Sequence, residues 1–457
     1  MTPLDFAHHT AHIQAIITAA LQTADPRTAV HKHLQKHGDK LTVGQHTFNL
    51  ANGRLYLISV GKAAMPMAQA ALDVVGETVT LAGSVQTVSG GGIITKFLPA
   101  DVTLPLPAYE GNHPVPGEKS VAATTAVLDT LNNLSENDLI LCLISGGASA
   151  LFTQPHLPLA SWQQLTQALL ASGCTIQELN TVRRQLDAVK GGGLARLAAP
   201  AKVISLILSD VVGNELAAIG SGPTVAIAET PADARTILDR YEVLDELETP
   251  PTEPAEMTVA QTIQNTLNNL TETNAAPPAN IIDNIIIGSI QQSAQAAAAK
   301  AEELGFHTRL LTTRLEGEAR EVGQFVTALA KDAPPQSATL LGGETTVTLR
   351  GDGVGGRNLE TALAAAISLA GWPDRTITSF ATDGDDGPSG MAGATVTGQT
   401  VQDRPSALAH LNNNDSYTYF AQRDAAGNGR HLIKTGPTGT NVNDLIIILN
   451  YMWEDKK

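Results

Sequence analysis

The stretch that most restricts how this chain can fold is residues 340–370, LLGGETTVTLRGDGVGGRNLETALAAAISLA. It opens on a short apolar run ending in Gly342, Gly343 and Glu344, and its β-branched residues predict a strand over 345–349. A glycine cluster follows, Gly351, Gly353, Gly355 and Gly356, and Arg357 then opens an alanine- and leucine-rich helix. A strand that runs through glycines into a helix is how an α/β protein builds an anion site. Glycine lets the backbone turn sharply and approach a ligand closely. The first amides of the helix have no internal partner and carry a partial positive charge. A guanidinium at that helix start adds a fixed cation with forked donors. The stretch therefore reads as one wall of a phosphate-handling cleft.

At 457 residues the chain is too long for one ordinary core, so two domains are expected. Hydrophobic residues make up 43% and aromatics only 4%, which favours helix-on-sheet packing over an aromatic-cored β-sandwich. The net charge is −16 and no basic run of useful length exists, which argues against a nucleic-acid partner. An anionic small substrate stays compatible, because a few cations in a cleft set the local field. The two cysteines, Cys142 and Cys174, form neither a disulfide framework nor a zinc pattern. No apolar run reaches transmembrane length. The N-terminus reads as an amphipathic helix over 4–23 and lacks the basic start of a signal peptide. A cytoplasmic location and no membrane partner are the expectation.

Residues 54–60 form a strand, followed directly by Gly61 and Lys62 and then a helix over 63–74. Lys62 thus lies where the carboxyl end of a strand meets a helix start, the usual ligand edge of an open α/β sheet. A cation there is unfavourable without an anionic partner. EGNHPVPG, residues 110–117, is a rigid turn in which His113 is held extended by the following proline; structural and catalytic roles for His113 stay open. Residues 138–144 are a fully apolar strand of the buried parallel type. Ser145, Gly146 and Gly147 come next, and consecutive amides in such a loop can form an anion-binding nest.

Residues 178–194 predict a charged helix ending at a glycine stop, carrying Asn180 and with Lys190 free to turn inward where the glycines begin. The apolar strand 202–208 ends at Ser209 and Asp210, with Glu215 in the loop beyond. Oxygen ligands near phosphates suit Mg²⁺, so Asp210 and Glu215 are candidate metal ligands. Proline clusters bracket 246–280, which is read as a linker or peripheral segment between an N-terminal domain over 1–245 and a C-terminal domain over 281–457. In the second half, a strand over 376–381 runs into Thr382, Asp383 and an acidic loop that departs from EF-hand spacing.

Gly351, Gly353 and Gly356 match the dinucleotide fingerprint, so an NAD(P)H-dependent reductase is a legitimate rival reading. Asp374 is badly placed for the ribose, and Arg357 would crowd a pyrophosphate while suiting a transferring phosphoryl group. The P-loop pattern is absent. A kinase reading must therefore assemble its phosphate site from several strand ends: Lys62, Arg357 and Lys190 as cations, with Asp210, Glu344 and Asp383 as carboxylates.

The ordered stretches VGKAA, HPVP, SGGASAL, NTVRRQLDAVKGGGLA, SDVVGNELAAIGSGPT, GGETTVTLRGDGVGGRNLE, ATDGDDGP and TGPTGTNVNDL span about residues 60 to 445. Together they resemble the class II glycerate 2-kinase family. The resemblance implies two Rossmann-like α/β domains with an interdomain active-site cleft, the second of the leucine-rich MOFRL type. It implies phosphorylation of D-glycerate at its 2-hydroxyl by ATP with Mg²⁺, in a monomer or homodimer. It makes Lys62, Arg357 and Asp210 the leading catalytic residues. Ser145, Gly146, Gly147, Asn180, Lys190, Glu344, Gly353, Gly355, Gly356, Thr382 and Asp383 become candidate substrate or nucleotide contacts. Some members of the family carry the name hydroxypyruvate reductase. The chain departs from the family pattern at Asn214, where an acid is expected, and at Leu359, where glutamine is expected.

Overall fold

The computed structural model describes residues 4–80, 83–86, 88–99, 104–248, 257–270, 278–427 and 430–452. The chain forms two compact α/β units. One comprises Val30–Leu208 and Asn214–Ile287; the other comprises Met1–Ala29, Ser209–Gly213 and Gly288–Lys457.

The first unit is built on a six-stranded sheet with order Ile281–Gly288, Lys202–Leu208, Leu139–Ile144, Leu55–Val60, Val88–Thr95 and Ala108–Glu110. The pairs from Lys202–Leu208 across to Ala108–Glu110 are all parallel. Leu55–Val60 and Leu139–Ile144 are buried at every position, as continuous apolar runs in a sheet covered on both faces require. A helical layer packs around Trp162, Leu165, Val182, Leu186, Leu238 and Ile263.

The second unit carries a six-stranded mixed sheet with order His307–Leu315, Ser337–Gly343, Asp444–Asn450, Arg375–Ala381, Gly393–Thr397 and Leu432–Ile433. Only its first pair is parallel; Asp444–Asn450 runs antiparallel to both neighbours. The sheet is therefore mixed, within the expected α/β class. Its strands alternate between two cores. Ile446 and Ile448 join the helices Ala319–Asp332 and Arg357–Leu369 on one face, and Leu445, Ile447 and Leu449 join Ile290–Glu303 on the other.

Several expectations need correction. The N-terminal helix, His9–Ala24, packs Ile13, Ile16, Ile17 and Ala20 against Ala294, Ala297 and Ala301, so it belongs to the second unit. The strand Ile281–Gly288 completes the sheet of the first unit instead of opening the second. Within 246–280, residues 249–256 and 271–277 lie outside the described residues. The helix Val259–Asn269 between them buries Ala260, Ile263 and Leu267 in the core of the first unit, so it is not a free linker. No strand forms at 345–349. The strand precedes it, at Ser337–Gly343, and Thr346 makes only an isolated bridge to Glu318. The helix expected over 178–194 is Ile176–Gln185, entered through a capping box of Thr175 and Glu178. It stops because the carboxylate of Asp187 accepts from the Thr153 hydroxyl and from the N–H groups of Gln154 and Val189, drawing the chain out of helical geometry.

Candidate functional site

In the first unit the site is organised by register. Val60 lies opposite Ile144 on one side and Ile94 on the other, so three parallel strands end in one row. The loops beyond are laced together. Gly61 N–H donates to Ile94 O at 3.0 Å, Ser145 N–H to Val60 O at 2.9 Å, and Lys62 N–H to Gly146 O at 2.8 Å. Gly61 has φ +121°, and a Cβ there would lie 2.2 Å from Ser145 Oγ, so only glycine permits this closeness.

The lacing decides which groups face outward. Ser145 is 1% exposed, and its hydroxyl accepts from Ala63 N–H at 3.0 Å and donates to Val60 O at 3.3 Å. The side chain thus fastens two loops, and its hydroxyl does not face outward as the ligand-contact expectation would have it. The N–H groups of Gly146 and Gly147 donate to no described residue. Lys62 is exposed, and its ammonium makes no hydrogen bond or ion pair with any described residue. Unused amides and an unpaired cation at one sheet edge form an arrangement suited to an anion.

His113 packs beside this edge: a Cβ built on Gly147 would lie 3.0 Å from its Nε2 and 3.3 Å from Lys62 Cγ. Burial, reinforced by the ammonium groups of Lys62 and Lys96, pushes the imidazole down to about 4, so it is neutral near pH 7. The sequence left His113 open, and it missed Lys96, whose only signal was its position two residues past Ile94 in the strand register.

Asn180 is 6% exposed and accepts a 3.4 Å hydrogen bond from Ser221 Oγ, which also meets Ser149 Oγ at 3.1 Å. Lys190 does not behave as expected. It is fully buried, and its ammonium donates to Ser149 O at 2.8 Å and Phe152 O at 3.0 Å, with Asp187 Oδ2 at 3.7 Å. Burial lowers its pKa to about 8, and Asp187 resists that fall. Every donor direction is committed internally, so Lys190 pins the chain and is not available to a nucleotide. Glu215 is exposed, and among the described residues only its carbonyl is engaged, by the N–H groups of Ala218 and Ile219.

The second unit centres on Arg357, which opens the helix Arg357–Leu369 as expected. Its Nε and Nη2 donate to Asp444 Oδ2 at 2.5 Å and Oδ1 at 3.0 Å, while Nη1 donates to Glu344 Oε1 at 2.6 Å. Burial works against the charge, but the Asp444 and Glu344 carboxylates outweigh it and hold the guanidinium above its ordinary value. Asn443 bridges the cluster, donating through Nδ2 to Glu344 Oε2 at 2.9 Å and to Asp210 O at 2.7 Å. Asp210 is part-exposed. Asn443 and Asp444 were missed by the sequence reading; two polar residues at the mouth of an otherwise apolar strand were the available signal.

The glycine cluster is closely packed. The N-terminus of the Arg357 helix is already filled by Asp386, which is 2% exposed and accepts Asn358 N–H at 3.0 Å and Leu359 N–H at 2.8 Å. The glycines serve close packing. A Cβ on Gly353 would lie 2.3 Å from Asp415 Cβ, on Gly355 2.4 Å from Ser416 Oγ, and on Gly356 2.3 Å from Asp386 Cγ. These approaches explain why glycine stands at 353, 355 and 356, and Asp386 takes the two helix amides, of Asn358 and Leu359, that the fingerprint would offer a pyrophosphate. Thr382 is likewise internal: its hydroxyl donates to Asn443 O at 2.6 Å and accepts Val442 N–H at 3.0 Å. Asp383 is part-exposed, with Oδ1 accepting Asp385 N–H at 3.1 Å.

Among the described residues no group of three or more His, Cys, Asp and Glu is placed to hold a metal ion. That does not conflict with a Mg²⁺ carried by nucleotide phosphates, which takes one or two carboxylates from the protein. Part-exposed Asp210, with its carbonyl fixed by Asn443, fits that donor set. Among the described residues no helix is long and apolar enough to cross a membrane.

Residues 12–253 match a family model described as a domain of unknown function, DUF4147, and residues 337–444 match the MOFRL family. The chain is 39% identical to a D-glycerate 2-kinase of Thermotoga maritima over 86% of this chain and 90% of that one. It is 36% identical to a putative hydroxypyruvate reductase of Agrobacterium vitis, over 96% and 93%. The crystal structure of a glycerate kinase from Thermotoga maritima superposes with a TM-score of 0.79 at 36% identity, covering 95% of this chain and 97% of that one.

Proposed function

The chain belongs to the class II glycerate kinase family, and from that premise we propose how its residues perform the reaction of a glycerate 2-kinase. The 2-hydroxyl oxygen of D-glycerate bonds to the γ-phosphorus of ATP, the bond from that phosphorus to the β-phosphate oxygen breaks, the hydroxyl proton is released to solvent, and 2-phosphoglycerate and ADP result. Such a transfer proceeds through a loose transition state with charge spread over three equatorial oxygens, so the protein mainly positions groups and neutralises charge.

We assign Lys62 and Arg357 to the transferring phosphoryl group and the free N–H groups of Gly146 and Gly147 to phosphate oxygens. Asp210 would hold the Mg²⁺ that accompanies ATP, with exposed Glu215 as the second carboxylate candidate. When bound, that ion supplies charge neutralisation across the phosphates. Asn180 and Asp383 are assigned to glycerate or nucleotide hydroxyls, and neutral His113 flanks Lys62 without adding a charge. The observation that carries the reading is the unpaired ammonium of Lys62 beside two unused amides at the carboxyl edge of a parallel sheet. Reduction of hydroxypyruvate is not favoured, since the fingerprint glycines have no vacant helix N-terminus to serve.

The decisive experiment incubates the protein with ATP, Mg²⁺ and D-glycerate and identifies the product by phosphorus and carbon NMR. Phosphorus coupled to C2 is the expected result. NADH consumption with hydroxypyruvate, and no phosphorylated product, would replace this reading with the reductase.

A further inference from the structure

Arg357 is held by two carboxylates of different character. Asp444 takes one edge of the guanidinium through both oxygens, at 2.5 and 3.0 Å, and its side chain is 8% exposed. Glu344 takes Nη1 through one oxygen at 2.6 Å, and its side chain is 42% exposed. The fork-to-fork pairing with Asp444 fixes the plane of the guanidinium as well as its position. The single contact from Glu344 fixes neither.

The surroundings sharpen the contrast. Asp444 sits on the central strand of the sheet, at the register position opposite Gly343 and Ala381, so its backbone is paired on both sides. Beneath the same helix start, Asn358 Nδ2 donates to Asp386 at 3.3 Å and Asn358 Oδ1 accepts from Ser379 Oγ at 2.6 Å. Asn358 also hydrogen-bonds the Asp444 side chain, which ties Asp444 to this buried layer. Glu344 instead lies one residue past the end of its strand, with its second oxygen tied only to Asn443.

We propose that Asp444 is the positioning residue that orients Arg357 for the transferred phosphoryl group, and that Glu344 is the counter-ion Arg357 releases when that group arrives. The proposal rests on the assignment of Arg357 to the phosphoryl group. A phosphate oxygen then replaces Glu344 Oε1 at Nη1, while the Asp444 edge stays in place. No proton or covalent bond changes hands; one anion exchanges for another on a fixed cation.

Opposite kinetic signatures follow for the two carboxylates. Asp444→Asn keeps the shape but breaks the fork, so kcat falls about 10²-fold through a misplaced guanidinium while KM for D-glycerate changes little. Glu344→Gln removes a competitor of the phosphate, so KM for ATP falls. The coupling test is a double-substitution cycle: in an Arg357→Ala background, Asp444→Asn costs no further activity, because the group it positions is gone. A merely structural Asp444 would lower activity by the same factor in both backgrounds, and that result overturns the proposal. A rise in KM for ATP in Glu344→Gln overturns the counter-ion half, and this exposed-site variant remains informative if Asp444→Asn fails to fold. If Arg357→Ala alone retains full turnover, the assignment of Arg357 itself falls, which is a separate outcome.

Discussion

Asp386 accepts the main-chain N–H of Leu359 at 2.8 Å, and with it occupies the helix end that the glycine-rich approach seemed built to leave open for phosphate. A side-chain carboxylate is the anion there. The glycines bring the chain close enough to Asn413, Asp415, Ser416 and Asp386 for this packing.

Gly353→Ala therefore acts on stability and not on nucleotide affinity. Its Cβ would meet Asn413 O at 2.5 Å as well as Asp415, and backbone atoms cannot step aside cheaply. A loss of about 1–3 kcal/mol is expected in denaturant unfolding, the range typical of overpacking. KM for ATP in the folded protein stays unchanged; a rise in KM without loss of stability would restore the phosphate-cradle reading.

Asp386 also predicts a pH effect. Burial pushes its carboxyl up to about 6, against the pull of the Asn358 and Leu359 amides. The folded pKa lies above the unfolded one, so the associated stability is fully present below about pH 4 and is lost as pH rises through about 6. Asp386→Asn removes that slope. Relative to wild type, the variant should gain about 2–3 kcal/mol between pH 4 and pH 7. Parallel stability curves for the two proteins would refute the assignment.

Asp138 predicts the opposite slope. Burial alone would raise its pKa, but hydrogen bonds from Arg54 and Ser135 prevail and hold it down to about 2. Arg54 approaches through Nη2 at 2.7 Å, and the Ser135 N–H at 2.8 Å. Its stabilising contribution is present above about pH 4 and is lost as pH falls toward 2. Thermal unfolding between pH 5 and pH 2 should show a steeper loss in wild type than in Asp138→Asn, and equal slopes would contradict this.

Lys190→Met separates a structural lysine from a catalytic one. The substitution strands Asp187 and leaves the carbonyl of Phe152 without its donor, while Ser149 O keeps only Arg183 Nη2 at 3.3 Å. Breaking such a buried pair costs about 3–5 kcal/mol. At temperatures where the variant is folded, KM for ATP is expected to match wild type; a selective rise in KM with normal stability would return Lys190 to the ligand contacts.

Lys62→Ala and Arg357→Ala carry the functional assignment. Each is expected to lower kcat by about 10³-fold or more, the scale of a cation lost from a phosphoryl transition state. The circular dichroism of Lys62→Ala should remain native, because the Lys62 ammonium contacts no described residue, whereas Arg357→Ala strands the Asp444 carboxylate, so its turnover is compared at a temperature where circular dichroism shows it folded. Near-normal turnover in either folded variant removes that residue from the mechanism.

Much of the secondary structure was legible because several strands are short apolar runs closed by glycine or a polar residue. Leu55–Val60, Leu139–Ile144 and Lys202–Leu208 all announce themselves this way, and Arg357 begins its helix at the expected residue. The placement of Lys62 and Gly146 at one sheet edge also followed from order along the chain, since parallel strands bring their carboxyl ends together. The misplaced elements share one cause. The helix His9–Ala24 and the strand Ile281–Gly288 look the same in sequence whichever unit receives them, and only apolar faces meeting in space choose.

Residue types alone thus determined an α/β chain with cations, glycine loops and carboxylates at strand ends, because hydrophobic period and backbone freedom are local properties. Tertiary structure decided which of those groups remain available. Lys190 is spent on two carbonyls, Asp386 fills the helix end, and Asp444 grips Arg357, while Lys62 stays unpaired among the described residues. Whether a charged side chain meets solvent or a partner depends on residues far away along the chain, and local sequence carries no record of that distance.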